Sequence, residues 1–346
     1  MSGASSRLSG PPLLSVRRLT KHFPVRGGIF KRTHGVVQAV DAVSFDVQPG
    51  ETLGIVGESG CGKSTTARLL MRLTEPDSGE VMFDGEQIGG RGGPSLRTLR
   101  RNIQMVFQDS YASLNPRLPV GMSVAYGPFA HGLRRAEALD RAATLLEAVG
   151  LEPALYADRY PHELSGGQRQ RVNVARALAI EPRVVILDEA VSALDKSVAA
   201  QVLNLLVELK ERFRLTYLFI SHDLGVVRYL SDRVLVMYLG KVVEVGPVAE
   251  VWEHPRHPYT RALLAAMPTM DPSRRTTEAL LTGDPPNPIN PPSGCRFRTR
   301  CRFAEDVCAR HEPPLQSSPD LRDHAIACHM VHAGTGHSLA GTSGPA

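Results

Sequence analysis

The sequence is short of aromatic residues and of long apolar runs. Aromatic residues make up 5% of the 346 positions and include a single tryptophan, so the chain offers few rings on which nucleic-acid bases could stack. It contains no uninterrupted apolar run of the roughly 20 residues that cross a bilayer. The first residues, MSGASSRLSGPPLL, lack a basic region followed by an apolar stretch, so no secretory signal is predicted. We therefore expect the protein to stay in the cytoplasm.

Cysteine is also scarce, and it is unevenly placed. Cys61 stands alone, and the other four cysteines lie in the last sixth of the chain, at Cys295, Cys301, Cys308 and Cys328. Because a reducing cytoplasm disfavours disulfides, metal binding is the better interpretation of this cluster.

Charge of one sign does not dominate the chain, whose formal net charge is +5. Arginine is locally dense at 97–101 and 296–302. A solvated surface is the simpler interpretation of these runs, and a patch for an acidic partner or for lipid headgroups is the alternative.

What the chain does contain is an alternation of buried strands and amphipathic helices. Apolar runs at 52–57, 184–189 and 233–238 predict strands, and VAAQVLNLLVELKERF (198–213) predicts a helix. This alternation predicts an α/β domain with a mainly parallel sheet. Before it, LLSVRRLTKHF predicts an edge strand; after it, 283–294 has five prolines in twelve residues and predicts an extended linker.

The segment GESGCGKS satisfies the pattern G-x-x-x-x-G-K-[ST] between a predicted strand and a predicted helix. Its glycines let backbone N–H groups surround phosphates, and the helix N-terminus adds partial positive charge. We expect Lys63 to reach the β- and γ-phosphates and Ser64 to ligate Mg²⁺, whereas an incidental glycine turn would do neither. The predicted nucleotide-binding residues of this loop are Gly57, Glu58, Ser59, Gly60, Cys61, Gly62, Lys63, Ser64 and Thr65.

Two acids end the predicted strand VVILDE. Asp188 is placed to hold the magnesium shell, and Glu189 to polarise the attacking water as a general base. A solvated strand end is the alternative, which the accompanying phosphate loop disfavours.

A second glycine turn, Leu164, Ser165, Gly166, Gly167 and Gln168, leads into a basic helix. This is another helix start suited to anions, and one nucleotide does not need two such sites on one chain. The simplest explanation is that this face serves the nucleotide of a second, facing subunit.

LSGGQ between a phosphate loop and an acidic strand is the signature of ABC-type ATPases, which this sequence resembles. The resemblance implies an α/β P-loop fold with a mainly parallel sheet core, an antiparallel β subdomain, a helical signature subdomain and a Cys-rich C-terminal extension. It also implies a head-to-tail dimer holding two ATP molecules. Ser165, Gly166 and Gly167 would then contact the γ-phosphate of the ATP held by the other subunit.

The same resemblance assigns roles to four further residues. Phe23 would stack on adenine, although a core phenylalanine is the alternative. Gln108 would sense Mg²⁺ and water, which makes it a magnesium ligand beside Ser64 and Asp188. Asp195 would cross the dimer interface, and His222 would contact the γ-phosphate. Where the family usually has proline after the acidic pair, this chain has Ala190, so we expect an altered loop stiffness there.

The resemblance also divides the chain. We expect a disordered N-terminus over 1–12 and the nucleotide-binding domain over 13–250, with its helical subdomain at about 110–180. A C-terminal extension of the oligopeptide-transporter type, with the four cysteines, would occupy 251–332, and a disordered tail 333–346.

Among these ATPases the chain looks most like the ATP-binding subunits of bacterial dipeptide and oligopeptide importers, the F-type more than the D-type. The motifs that carry this likeness are FQDSYASLNPR, RYPHELSGGQRQRV, LTYLFISHDLGVV, HPYTRALL and the terminal cysteine set. The likeness implies a sister ATPase subunit, two membrane permeases, an extracytoplasmic binding protein and a peripheral position on the cytoplasmic face of the inner membrane. It implies no nucleic acid.

The cysteine spacing x5, x6 and x19 is irregular for a zinc ribbon, which prefers two C-x2-C pairs. Four thiolates suit a [4Fe–4S] cluster, and the importer family carries such a set, which some members are thought to use for one. Zinc, or no metal, is the alternative. The expected role is structural, since this segment has too few apolar residues to fold alone, and redox sensing is the competing hypothesis.

Two other functions are possible for such a chain. A soluble ABC ATPase acting on nucleic acid or ribosomes commonly has two ATPase cores or a long coiled coil, and this sequence has one core and no sustained heptads. An exporter ATPase usually lacks the cysteine tail. The sequence therefore favours a peptide importer.

Overall fold

The computed structural model describes residues 10–27, 32–89, 93–267, 283–318 and 321–341. Its strands are β1 (Leu14–Gly27), β2 (Arg32–Val47), β3 (Thr52–Val56), β4 (Ser78–Phe83), β5 (Glu86–Gln87), β6 (Ile103–Val106), β7 (Val184–Asp188), β8 (Thr216–Ile220), β9 (Arg233–Tyr238), β10 (Lys241–Pro247), β11 (Gln316–Ser318) and β12 (Leu321–Ile326). Its helices are α1 (Lys63–Leu70), α2 (Leu96–Asn102), α3 (Val120–Ala130), α4 (Arg135–Ala148), α5 (Pro153–Tyr156), α6 (Gly166–Leu178), α7 (Lys196–Phe213), α8 (Leu224–Leu230), α9 (Val248–Glu253), α10 (Pro258–Ala265) and α11 (Asp306–Arg310).

The central sheet has the strand order β11-β12-β10-β9-β3-β8-β7-β6. Strands β9, β3, β8, β7 and β6 run parallel, and the remaining pairs are antiparallel. Every residue of β3, β7 and β8 is buried, as expected for parallel strands covered on both faces. The predicted α/β fold is therefore confirmed, and the carboxyl ends of β3 and β7 meet at one edge of the sheet.

A second sheet is wholly antiparallel and has the order β2-β1-β4-β5. The expectation that β1 is an edge strand was wrong, because Leu14 pairs with Val47 on one side and with Phe83 on the other. Strands β4 and β5 pair as a hairpin. Its turn residues Asp84 and Gly85 have φ values of 52° and 82°, the conformation that a two-residue hairpin turn needs.

Helices α3 to α6 occupy the stretch expected to be helical, and α3 and α4 each pack on α6. Helix α7 buries Val202, Leu205, Leu206 and Leu209, as its periodicity predicts. Phe213 is 39% exposed, because α7 ends at this residue and the chain turns at Arg214. Within the described residues, no helix combines the length and apolarity that crossing a bilayer demands.

The C-terminal part of the chain is built into the sheet. Residues 283–294 have no helix or strand. The stretch 295–328, called here the cysteine segment, then leads through α11 to β12, which pairs with β10. Residues 333–341, which belong to the tail expected to be disordered, lie within the described part and contact the cysteine segment. His337 is buried and its Nε2 lies 2.8 Å from the carbonyl of Phe303, and the Ser338 N–H donates to Glu305 at 2.9 Å. Residues 1–9 and 342–346 lie outside the described part.

Candidate nucleotide-binding site

The phosphate loop joins the end of β3 to the start of α1. Gly57 and Gly62 have φ values of 149° and 110°, a region that side-chain-bearing residues rarely adopt. A Cβ at Gly57 would lie 2.2 Å from the carbonyl oxygen of Met237, and one at Gly62 would lie 2.1 Å from that of Ala39. Only glycine therefore allows the loop to curl here against the neighbouring backbone.

Lys63 is buried beneath this curl. Its Nζ donates to the carbonyl oxygens of Gly57 and Glu58 at 2.8 and 3.1 Å. These bonds hold the ammonium group at the centre of the loop, at the N-terminus of α1, where the backbone adds partial positive charge. Neighbouring Cys61 is 3% exposed, and burial raises the pKa of its thiol, which suits a space-filling residue.

Ser64 faces the acidic end of β7. Its hydroxyl donates to Asp188 Oδ1 at 2.9 Å, which places two oxygen ligands side by side next to the loop. Burial raises the pKa of the Asp188 carboxyl, because few waters reach it to solvate its charge. Oxygen ligands of this kind are those that Mg²⁺ prefers.

Glu189 lies at the centre of a polar network. Its Oε2 accepts a bond from Gln108 Nε2 at 2.9 Å and lies 3.5 Å from His222 Nδ1. Its φ of 49° is uncommon for a residue with a side chain, and such strain is typical of functional sites. The structure thus brings together three residues from separate parts of the sequence.

The second glycine turn is the capped start of α6. Ser165 Oγ accepts from the Gln168 N–H at 3.3 Å, and Gln168 Oε1 accepts from the Ser165 N–H at 3.0 Å. Leu164 is buried behind the turn, while Ser165 is exposed. A Cβ at Gly167 would lie 2.4 Å from Val198 Cγ1, so glycine lets α6 pack closely on α7. The start of α6 therefore presents the Ser165 hydroxyl to solvent, at the end of the helix where the first backbone N–H groups have no intrahelical partner.

Asp195 caps α7 next to this turn. Its Oδ1 accepts from the Val198 N–H at 2.9 Å and from the Ser197 hydroxyl at 2.7 Å. The Val198 N–H is the main reason that the pKa of the Asp195 carboxyl is lowered.

Phe23 lies on β1 with 39% of its surface exposed, and the Lys21 ammonium lies 5.5 Å from its ring centroid. A core phenylalanine would be buried, so this exposed ring is not part of the hydrophobic core.

Two residues next to the phosphate loop were not predicted from sequence. Tyr259 Oη, on α10, accepts from the Glu58 N–H at 2.9 Å, and Arg300 pairs with the Glu58 carboxylate at 2.8 Å. They lie roughly 200 and 240 positions from Glu58, so no local pattern indicates them.

The four C-terminal cysteines line one small cavity together with Phe297, Phe303 and three histidines. Burial raises the pKa of Cys295 and of Cys328 to about 12. Within the described ranges, no group of three or more Cys, His, Asp or Glu side chains is close enough to hold a metal ion. The four thiols thus line one cavity, but they are too far apart to ligate a single metal ion.

A glycine loop around a buried lysine, beside an acid-ended parallel strand, defines a P-loop nucleoside triphosphatase. Within this class, residues 40–192 match the family model described as "ABC transporter". Residues 243–308 match the model "Oligopeptide/dipeptide transporter, C-terminal region". The chain belongs to the ABC transporter family as an ATP-binding subunit.

Individual relatives cover nearly the whole chain. The probable peptide ABC transporter ATP-binding protein y4tS of Sinorhizobium fredii is 53% identical over 92% of this chain and 90% of its own length. The oligopeptide transport ATP-binding protein AppF of Bacillus subtilis is 50% identical over 92% of this chain and 97% of its own. A dimeric ATP-binding cassette, MJ0796, solved with ADP and Pi, has a TM-score of 0.58 at 28% identity and covers 68% of this chain and 98% of its own.

Proposed function

We propose that this chain is the ATP-hydrolysing subunit that drives an importer of dipeptides, oligopeptides or related small solutes. The observation that carries this proposal is the joint presence of the ATPase and the oligopeptide-type C-terminal region in one chain. Relatives of nearly the same length are named for peptide transport, which supports import over a role on nucleic acid or ribosomes.

The proposed chemistry is transfer of the γ-phosphoryl group to water. Lys63, released from its bonds to the loop carbonyls, would bind the β- and γ-phosphates, while loop N–H groups surround them. Glu189 Oε2 would take the proton of the attacking water, with Gln108 and His222 fixing the direction of the carboxylate. Phe23 would stack on adenine, where its exposed ring leaves room.

Ser64 and Asp188 would hold Mg²⁺, with Gln108 nearby, because their oxygens already lie 2.9 Å apart at the loop. The ion supplies neutralisation of the phosphate charge when it is bound.

The exposed start of α6 is the part of the chain that we assign to a second subunit. Leu164, Ser165, Gly166, Gly167 and Gln168 would contact the ATP of the facing subunit, and Asp195 would lie at the same interface. A sister D-type ATPase is the proposed partner, with two permeases and an extracytoplasmic binding protein completing the assembly. The chain would then sit peripherally on the cytoplasmic face of the inner membrane.

We also propose that Cys295, Cys301, Cys308 and Cys328 hold a [4Fe–4S] cluster, with zinc as the alternative. Their convergence on one cavity supports a shared ligand, and a set made only of thiols suits the cluster. Because burial raises the pKa values of Cys295 and Cys328, a bound metal would take these two side chains as thiolates and release protons.

Anaerobic purification followed by metal analysis and a visible spectrum tests this site. Iron and sulfide near about four per chain with a broad brown band support the cluster, whereas colourless protein with zinc near about one per chain supports the alternative. Cys301→Ser should lose the metal and Cys61→Ser should keep it. Metal-free wild-type protein would contradict both.

The import function is tested by uptake of a labelled tripeptide into cells that lack the gene. Wild-type chain should restore uptake, and Glu189→Gln should not. Glu208→Gln, an exposed acid-to-amide change on α7, is the matched control and should restore it. Uptake that persists without the chain, or that Glu189→Gln restores, would contradict the proposal.

A further inference from the structure

The first part of the cysteine segment packs against the domain that carries the phosphate loop through the side chains of Arg296, Phe297 and Arg300. Arg296 bonds to Asp41, Gln38 and the carbonyl of Leu239. The Phe297 ring lies 5.3 Å from that of Tyr238 and 5.4 Å from that of Tyr259. Arg296 and Phe297 thus anchor the segment. Arg300, between Cys295 and Cys301, makes a different contact.

Arg300 reaches into the phosphate loop. Its two terminal nitrogens donate to the two carboxylate oxygens of Glu58 at 2.8 and 3.1 Å, the two-point geometry that guanidinium and carboxylate groups favour. The side chain of Arg300 is 5% exposed and that of Glu58 is 23% exposed. One of these terminal nitrogens also lies 3.4 Å from the Tyr238 hydroxyl. This pair is therefore largely shielded from water, unlike a surface ion pair.

Glu58 is held at every polar group. Its N–H donates to Tyr259 Oη at 2.9 Å, and its carbonyl accepts from the Cys61 N–H at 3.2 Å and from Lys63 Nζ at 3.1 Å. The segment and α10 together thus fix the first turn of the loop from outside it.

The negative charge of Glu58 would affect the binding of a nucleotide if Arg300 did not neutralise it. A triphosphate in the loop brings several negative charges close to Glu58, and an uncompensated carboxylate there would repel them. Removing one partner of an ion pair that is shielded from water leaves the other charge desolvated and unpaired. This state has a higher free energy than one in which both charges are removed.

We infer that Arg300 is a positioning residue of the nucleotide site, which neutralises Glu58 and orients the phosphate loop from the cysteine segment. The inference rests on the proposed binding of ATP in this loop. Under it, the C-terminal region contributes to nucleotide affinity rather than serving only as an appended module.

The test measures the Kd of MgATP for the full-length chain and its steady-state kinetics in the importer assembly. Arg300→Gln should raise the Kd about tenfold, because it leaves the Glu58 carboxylate unpaired beside the phosphates. KM should rise while kcat at saturating ATP stays nearly unchanged, since Glu58 does not contact the reacting water. Arg300→Lys keeps the charge and loses the two-point geometry, so its Kd should lie between those of wild type and Arg300→Gln.

The double variant Glu58→Gln, Arg300→Gln separates charge compensation from plain docking. It removes both charges and should recover most of the lost affinity, a strongly non-additive result. Arg310→Gln is the matched control, because Arg310 lies in the same segment and pairs only with exposed Asp306 among the described contacts. Its Kd should equal that of wild type.

An unchanged Kd in both Arg300 variants would overturn the inference, as would a double variant as weak as Arg300→Gln. If Arg300→Gln does not fold, the double variant is compared with Glu58→Gln. Equal Kd values support the inference, and a large difference overturns it, because Arg300 would then act other than through Glu58. Failure of the wild-type chain to bind MgATP would instead contradict the proposed function.

Discussion

At the scale of single residues, Glu189 carries the clearest expectation. Its carboxylate accepts from Gln108 and faces His222. Glu189→Gln keeps the shape of the side chain but removes the proton acceptor, so turnover should fall by at least about a hundredfold. ATP binding should persist and the closed dimer should accumulate. Phosphate release and nucleotide affinity measure the two effects, and appreciable hydrolysis would show that another group is the base.

Lys63→Ala should weaken nucleotide binding rather than the hydrolysis step. Loss of the buried ammonium group removes the main positive side chain from the loop, so the Kd of MgATP should rise by about two orders of magnitude. Equilibrium binding to a fluorescent ATP analogue measures it. Lys196→Ala, on the exposed first turn of α7, is a control that should bind normally. Unchanged affinity in Lys63→Ala would remove this lysine from the phosphate site.

The residues that sequence could and could not predict differ in how their partners are spaced. Lys63 and Ser64 were predictable because a short loop between a strand and a helix specifies its own geometry. Arg300 and Tyr259 meet Glu58 only after the chain has passed through the whole sheet. The packing of distant elements decides such contacts, and one sequence carries no local signal of them.

At the scale of elements, β10 depends on a buried acid. Glu244 is fully buried and accepts from the N–H groups of Arg256 and His257 at 2.8 and 3.1 Å. It also lies 2.7 Å from His324 Nε2 on β12. This one carboxylate therefore joins β10, β12 and the turn before α10.

Glu244→Ala should lower the free energy of unfolding by roughly 3 kcal/mol, because it leaves two N–H donors and an imidazole buried without a partner. Chemical denaturation measures the change. Glu253→Ala, at an exposed acid nearby, should change it by less than about 0.5 kcal/mol. Equal stability of the two variants would contradict the linking role of Glu244.

The elements themselves were predictable to different degrees. Strands β3, β7 and β8 are uniformly buried and mostly apolar, and their identity follows from composition and length. Strand β12, LRDHAI, mixes charged and apolar residues, and it enters the sheet because β10 offers it a free edge. The short β11 is likewise visible only from its pairing.

At the scale of the whole molecule, the exposed start of α6 predicts that this chain binds one nucleotide in its own loop and contacts a second one held by the facing subunit. Ser165→Asp keeps the N-cap but places a negative charge where the phosphate of the facing subunit would lie. The chain should keep its own nucleotide affinity within about twofold, since the change is remote from its loop. ATP-driven dimerisation and hydrolysis should be lost.

Light scattering in a Glu189→Gln background, with the partner ATPase present, measures this dimerisation. Ser95→Asp is the matched control, because Ser95 caps α2 in the same way and accepts from the Thr98 N–H at 3.1 Å. It should dimerise normally. Normal dimerisation of Ser165→Asp would show that the α6 start does not lie at the interface.

The position of β12 has a consequence for how the protein is made. Until residues 321–326 leave the ribosome, β10 has an unpaired edge and Glu244 lacks its imidazole partner. An exposed strand edge invites pairing with other chains. The nascent protein therefore exposes a strand edge from the synthesis of β10 until that of β12, and a premature stop between the two would release a chain prone to aggregate rather than a slightly shortened ATPase.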